Sequence, residues 1–236
     1  MSSLSLGRKL ENDFSYNNCV KDADVYIRME FLRKLYSILC AQLVLTCTTG
    51  AVLLTFKEQL SPFLAENSFI LLLLIIASLV LLIAMFYKRY DTPMNFILLF
   101  SFTLVESFFV GLVVVHFDLA IVLQAFLITA ALTIGLTLYT LQTKRDFSSW
   151  AACLGTLLMA LFVGGVLNTF FASPAIHLAL SISGAFLFAC LLIFDTQIIM
   201  ERFSAEEYIA ASITLYLDIL NLFLYVLRVL QTANNN

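Results

Sequence analysis

After a polar stretch of about thirty residues, apolar positions fall in seven long runs: Leu35 to Phe56, Asn67 to Tyr87, Asn95 to Val115, Leu119 to Thr143, Phe147 to Thr169, Ala175 to Ile199 and Tyr208 to Leu230. About 20 apolar residues, rising ~1.5 Å each as a helix, cross the ~30 Å hydrocarbon layer of a bilayer. The pattern predicts an all-α integral membrane protein with seven transmembrane helices. It divides the chain into a cytoplasmic segment over residues 1–34, a seven-helix domain over 35–230 and a short tail over 231–236.

The connections are short, so any chemistry is expected inside the bundle. Pro62, Pro93 and Pro174 fall in connections or at their edges, and no proline kink is expected within a span. The first residues show neither an apolar leader core nor a small-residue cleavage site, so the first span is expected to serve as the anchor.

Composition supports this reading. Apolar residues make up 61% of the chain and charged ones 12%, against roughly 45 to 50% apolar in soluble domains. Mean hydropathy is +0.97.

The thirteen Lys and Arg residues are distributed unevenly. Arg8, Lys9, Lys21, Arg28, Arg33 and Lys34 precede span 1, Lys88 and Arg89 follow span 2, Lys144 and Arg145 follow span 4, and Arg202 follows span 6. Lys57 and Arg228 fall on the other side. Basic residues are retained on the cytoplasmic face, which predicts a cytoplasmic N-terminus. Seven crossings would put the tail in the lumen, while a re-entrant last span would return it to the cytoplasm. Cys19, Cys40, Cys47, Cys153 and Cys190 have no metal or disulfide spacing, and no Asn-x-Ser/Thr acceptor occurs. Nothing in the charge pattern points to nucleic acid.

Three acids interrupt the spans: Glu106 in the third, Asp195 in the sixth and Asp218 in the seventh. A charged side chain at mid-bilayer costs roughly 2.5 to 3.5 kcal/mol on insertion scales, so each should face the bundle interior, a partner or water. At 100° per residue, span 6 aligns His177, Ser181, Gly184, Asp195 and Arg202, and span 7 aligns Glu207, Ala211, Thr214, Asp218, Asn221 and Arg228. His116 and His177 lie at the far edge, where a solvated loop position is expected. Span 4 carries Thr129, Thr133, Thr137 and Thr140 on one ridge, and span 5 repeats small residues at Ala151 and Gly155 and at Ala160 and Gly164, patterns that predict close helix packing. Glu106 is open to two readings, a functional acid or a structural one bonded to hydroxyls such as those threonines.

Counted from the cytoplasmic ends, Asp195 lies about 10 Å deep and Asp218 about 16 Å. A later start of span 7, near Ala210, or an ordinary tilt would bring them level. Two carboxyls in contact within a low-dielectric interior should share one proton and titrate in two separated steps. The shared proton would tie the two helices together. Its loss would part them and expose two carboxylates to a divalent cation, with calcium as the expected ion and Asn221 a further oxygen ligand. The alternative is a pair of permanently protonated, merely structural acids.

The segments Leu191 to Ile199 (LLIFDTQII) and Leu215 to Phe223 (LYLDILNLF) resemble the two aspartate signatures of the transmembrane Bax-inhibitor-motif family. Ile27 to Lys34, Tyr139 to Ser148 and Leu217 to Leu224 resemble its Golgi anti-apoptotic, or Lifeguard, branch. The resemblance implies a seventh helix surrounded by the other six and a pH-sensitive calcium leak of the Golgi and endoplasmic reticulum. It further implies lowered organelle calcium, suppressed apoptosis and an effect on the inositol trisphosphate receptor. By position, Asp195 and Asp218 would be the pH sensor, and Lys88 or Arg89 would stand where bacterial relatives carry a latching arginine. Glu106 and Glu207 resemble acids that the branch associates with conduction.

Other readings stay open. A non-conducting scaffold that regulates calcium channels or apoptosis partners would not need the aspartates to titrate, and an oligomer is compatible with any of these. An intramembrane aspartyl protease also sets two aspartates on adjacent helices, but its second aspartate follows Gly-x-Gly, whereas Asp218 follows Leu215-Tyr216-Leu217. No HExxH occurs, and the reading is of a protein that is not an enzyme. A seven-helix receptor would have its N-terminus outside.

Overall fold

The computed structural model describes residues 19–20, 24–67, 69–88, 91–143, 145–171 and 174–234. Among these described residues, eight α-helices follow in order: α1 (Val25–Thr55), α2 (Lys57–Glu66), α3 (Phe69–Tyr87), α4 (Met94–Val114), α5 (Leu119–Gln142), α6 (Ala151–Phe171), α7 (Pro174–Arg202) and α8 (Tyr208–Asn234). All except α2 are long and apolar enough to cross a membrane, so the seven predicted spans are α1 and α3 to α8. Among the described residues the β-structure is one isolated bridge, Cys19 to Ser204.

Two boundaries depart from the sequence reading. Helix α1 begins at Val25, ten residues before the apolar run, because the Ile27, Phe31 and Leu35 ridge buries its first turns. The first connection folds as α2, and Pro62 sits inside this helix rather than in a loop. Helix α2 buries only Leu64 and lies outside the seven spans, so the proline interrupts no membrane crossing.

Helix α8 is the most enclosed span. No residue from Ile209 to Leu227 is exposed. It packs on α7, α1, α5 and α4, while α3 packs chiefly on α4 and α6 chiefly on α7. The seventh span therefore packs chiefly against four helices. The reason lies in polarity. Helix α3 is an unbroken apolar run that lipid solvates on almost every side, burying only Ser78 and Met85. Helix α8 carries polar groups that lipid cannot satisfy, and it must find partners inside. Its 27 residues form one uninterrupted helix, about 40 Å long at ~1.5 Å per residue, which is long enough for a full crossing and lacks the break of a re-entrant segment.

Small residues set two of the contacts. A Cβ on Gly184 of α7 would lie 2.5 Å from the Tyr225 ring of α8, and one on Gly164 of α6 would lie 2.7 Å from Leu180 Cδ2 of α7. Gly155 has open space around its Cα, so the expected packing role holds for Gly164 and not for Gly155.

Candidate functional site

Helices α7 and α8 are joined by the turn 203–207, which is shaped by local bonds. The Glu207 carboxylate accepts the Ser204 backbone N–H at 3.1 Å, and the Glu207 N–H donates to the Ser204 carbonyl at 3.1 Å. This is half of a capping box, in which an acid reaches back to an unpaired backbone donor at a helix start. Before α1, Val20 donates its N–H to the Phe203 carbonyl at 2.9 Å and is fully buried against the turn.

Below the turn, the carboxyl groups of Asp195 of α7 and Asp218 of α8 come within interaction distance of each other. Carboxylates carry no hydrogen, so a hydrogen bond between the two groups requires one proton shared by the pair. Helix α8 starts at Tyr208, so a later start is not what aligns the pair; the set of the two helices takes up the offset. Asp218 is 6% exposed and Asp195 half-buried. Asp218 Oδ2 is buried without a hydrogen-bond partner, an arrangement that costs free energy unless water or an ion reaches it.

The other predicted site residues are dispersed. Glu106 of α4 faces Ser78 of α3 and not the α5 threonines. Thr129 and Thr133 hold buried hydroxyls without partners, and Thr140 bonds the Leu136 carbonyl of its own helix at 2.8 Å. Asn221 donates to the Leu217 carbonyl at 2.8 Å, leaving its side-chain oxygen as its means of joining the pair. Glu207 belongs to the turn, about 16 Å along α8 from Asp218 at ~1.5 Å per residue. Lys88 is held by Asp91 at 2.8 Å, and that hydrogen bond and the neighbouring charge push its pKa above the ordinary lysine value. Arg89 lies outside the described residues, as do Arg8, Lys9, Lys21 and Lys144.

A second polar layer escaped the sequence reading. Gln42 Nε2 donates to Thr103 Oγ1 at 3.0 Å, and Thr46 Oγ1 lies 3.0 Å from Ser107 Oγ and 2.8 Å from the Tyr216 hydroxyl. Thr46 also donates to the Gln42 carbonyl at 2.9 Å, which uses its single hydrogen and makes Tyr216 the donor to Thr46. The layer joins α1, α4 and α8. Its signal was present as two matched pairs four residues apart, Gln42 with Thr46 and Thr103 with Ser107, each placing two polar groups on one helix face.

At the turn between α5 and α6, the Gln197 side chain accepts the Phe147 N–H at 2.8 Å and donates to the Arg145 carbonyl at 3.2 Å. The loop is thereby fixed two residues beyond Asp195.

Seven apolar helices with a buried carboxyl pair on the last two define a multi-pass membrane protein whose polar chemistry is internal. The family described as "Inhibitor of apoptosis-promoting Bax1" matches residues 28–236, and the chain belongs to it. The chain is 46% identical to Protein lifeguard 4 of Mus musculus over 225 residues, covering 95% of this chain and 94% of that protein. It is 43% identical to the Golgi anti-apoptotic protein of Vaccinia virus (strain Lister) over 234 residues, covering 99% and 98%. Bax inhibitor 1 of Schizosaccharomyces pombe is 37% identical over 232 residues, covering 95% and 85%.

Proposed function

We propose that this protein is an anti-apoptotic regulator of Golgi and neighbouring endoplasmic-reticulum membranes that acts as a pH-sensitive cation leak, with calcium as its cargo and a cytoplasmic N-terminus. The anti-apoptotic and Golgi parts rest on family membership and on the names of its relatives. Those names describe regulators and not enzymes. The observation that carries the leak is the close approach of the Asp195 and Asp218 carboxyls, with Asp218 Oδ2 buried without a hydrogen-bond partner.

The pair works as a switch through electrostatics. Among the described residues, Asp195 is the charged group that acts on Asp218; α1 and α4 present the hydroxyls of Thr46 and Ser107 to the Tyr216 side of α8. At low pH one shared proton ties α7 to α8. As pH rises that proton leaves, two like charges face each other in a low-dielectric interior, and the helices part. The freed carboxylates then offer oxygens to a passing divalent ion. Calcium takes six to eight oxygen ligands, and no group of three or more acids, histidines or cysteines occurs among the described residues. The pair is accordingly a transit point and not a storage site. Glu106, near Ser78, and Glu207, at the turn, would flank the path at other levels. Lower organelle calcium would then reduce release through the inositol trisphosphate receptor, which is the proposed route to survival.

The test is calcium flux into liposomes that hold the full chain, measured across the neutral pH range. Flux is expected to rise with pH, and Asp195→Asn or Asp218→Asn to remove that dependence. Coincident wild-type and variant flux at every pH would reject the switch and favour a non-conducting scaffold.

A further inference from the structure

A crevice of about 460 Å³ opens at the end of the bundle where α1, α4 and α8 begin. It is separate from the aspartate pair. Its polar wall is Glu30, Arg33, Lys34 and Ser37 of α1 together with Tyr208, the first residue of α8. Ile38 and Phe96 line it on the side where the apolar runs begin. The crevice therefore straddles the boundary between headgroups and acyl chains.

Its charges are unevenly committed. Lys34 Nζ lies 2.9 Å from Glu30 and 5.5 Å above the Tyr208 ring centroid, so it is neutralised and held in place. Arg33 forms no ion pair among the described residues and is exposed. The lining thus carries one uncompensated positive charge in a fork suited to two phosphate oxygens. The Tyr208 ring packs 6.4 Å from Phe96, centroid to centroid, and forms with it an apolar floor at interfacial depth.

We infer that this crevice binds the headgroup of an anionic glycerophospholipid, the phosphate on Arg33, headgroup donor groups on Glu30 and the upper acyl chain along Ile38 and Phe96. Three features select this occupant over a neutral one. Arg33, the one unpaired cation among the described lining residues, matches one phosphate, whereas a phosphatidylcholine headgroup brings a cation of its own against it. Glu30 accepts hydrogen bonds, which suits inositol hydroxyls or a serine ammonium and not a methylated amine. The apolar side gives a lipid something to bind that free phosphate cannot use. Basic pockets between membrane helices commonly take such headgroups.

Native mass spectrometry of the detergent-solubilised full chain reads this directly by counting bound lipid. Phosphatidylinositol is expected to be retained over phosphatidylcholine. Arg33→Gln is expected to reduce retention about fivefold, the effect of one basic side chain near an anionic surface, and Arg33→Lys to recover part of it. Arg28→Gln removes the same charge from the same helix outside the crevice and is expected to leave retention unchanged. Equal loss from Arg28→Gln and Arg33→Gln would reduce the effect to general charge and overturn the site. Equal retention of the two lipids would overturn the headgroup selection. Displacement of phosphatidylinositol by soluble glycerol 3-phosphate at matched concentration would show a site for free phosphate and overturn the lipid assignment.

Discussion

The Tyr216 hydroxyl lies 2.8 Å from Thr46 Oγ1, which ties α8 to α1 two residues before Asp218 ties it to α7. Two residues along a helix turn the side chain through about 200°, so the two bonds leave α8 on opposite sides. Parting α7 from α8 at the aspartates can therefore leave the α1, α4 and α8 layer whole, and α8 is held on one side while it is released on the other.

Tyr216→Phe is expected to lower stability in detergent by on the order of 1 kcal/mol, the range for a hydrogen bond between membrane helices. The pH dependence of calcium flux is expected to survive, because the aspartates lie on the other side of α8. Thermal unfolding and liposome flux on one preparation check both halves; a flux profile that flattens would show that the two faces are coupled.

Substitutions at the aspartates separate tying from titration. An asparagine at either position keeps a hydrogen-bond donor at every pH, so Asp195→Asn should hold the helices together and give low, pH-independent flux. Asp195→Ala removes the tie and should give higher flux, also pH-independent. Indistinguishable fluxes for the two would mean that the pair does not hold the path shut.

Glycine contacts predict opposite signs at two positions. Gly184→Ala places a methyl 2.5 Å from the Tyr225 ring and is expected to cost about 1 to 3 kcal/mol through overpacking. Gly155→Ala meets nothing within 4 Å and is expected to be neutral or stabilising by up to ~1 kcal/mol, since alanine favours helix over glycine. Unfolding midpoints in detergent decide it.

Thr129→Val is expected to be neutral or slightly stabilising, because the hydroxyl it removes is buried without a partner and an isosteric methyl needs none. A loss of more than about 1 kcal/mol on unfolding would show that the hydroxyl is engaged when the protein sits in its membrane.

Lys88 is already paired with Asp91 at 2.8 Å on an exposed turn. Lys88→Gln is accordingly expected to leave the pH profile of flux unchanged. Asp91→Asn should return the Lys88 pKa toward its ordinary value, a shift that NMR titration of the labelled lysine would follow. A flux profile displaced by Lys88→Gln would restore Lys88 as a latch.

Much of this architecture is legible in sequence because hydrocarbon is an unforgiving solvent. Span positions follow from apolar length, and each helix boundary from Phe69 to Tyr208 lies within a few residues of the run that signals it. Helices outside the hydrocarbon, the first turns of α1 and all of α2, leave no such mark. The polar stripes of spans 6 and 7 show that Asp195 and Asp218 face inward, but depth counted along two helices is uncertain by about a turn. Glu106 illustrates the limit, since its burial is readable and its partner, Ser78 of α3, is not.

Sequence alone determined that the chain crosses a membrane seven times and that its last two crossings each carry an inward carboxyl, because the cost of exposing polar groups to lipid acts on every helix separately. Tertiary structure decided which helices pack chiefly on α8, that Asp218 meets Asp195 of α7 while Glu207 belongs to the turn, and that Tyr216 binds the opposite side. Those choices depend on how helix faces fit together, as the space at Gly184 for Tyr225 shows, and no single helix carries that information.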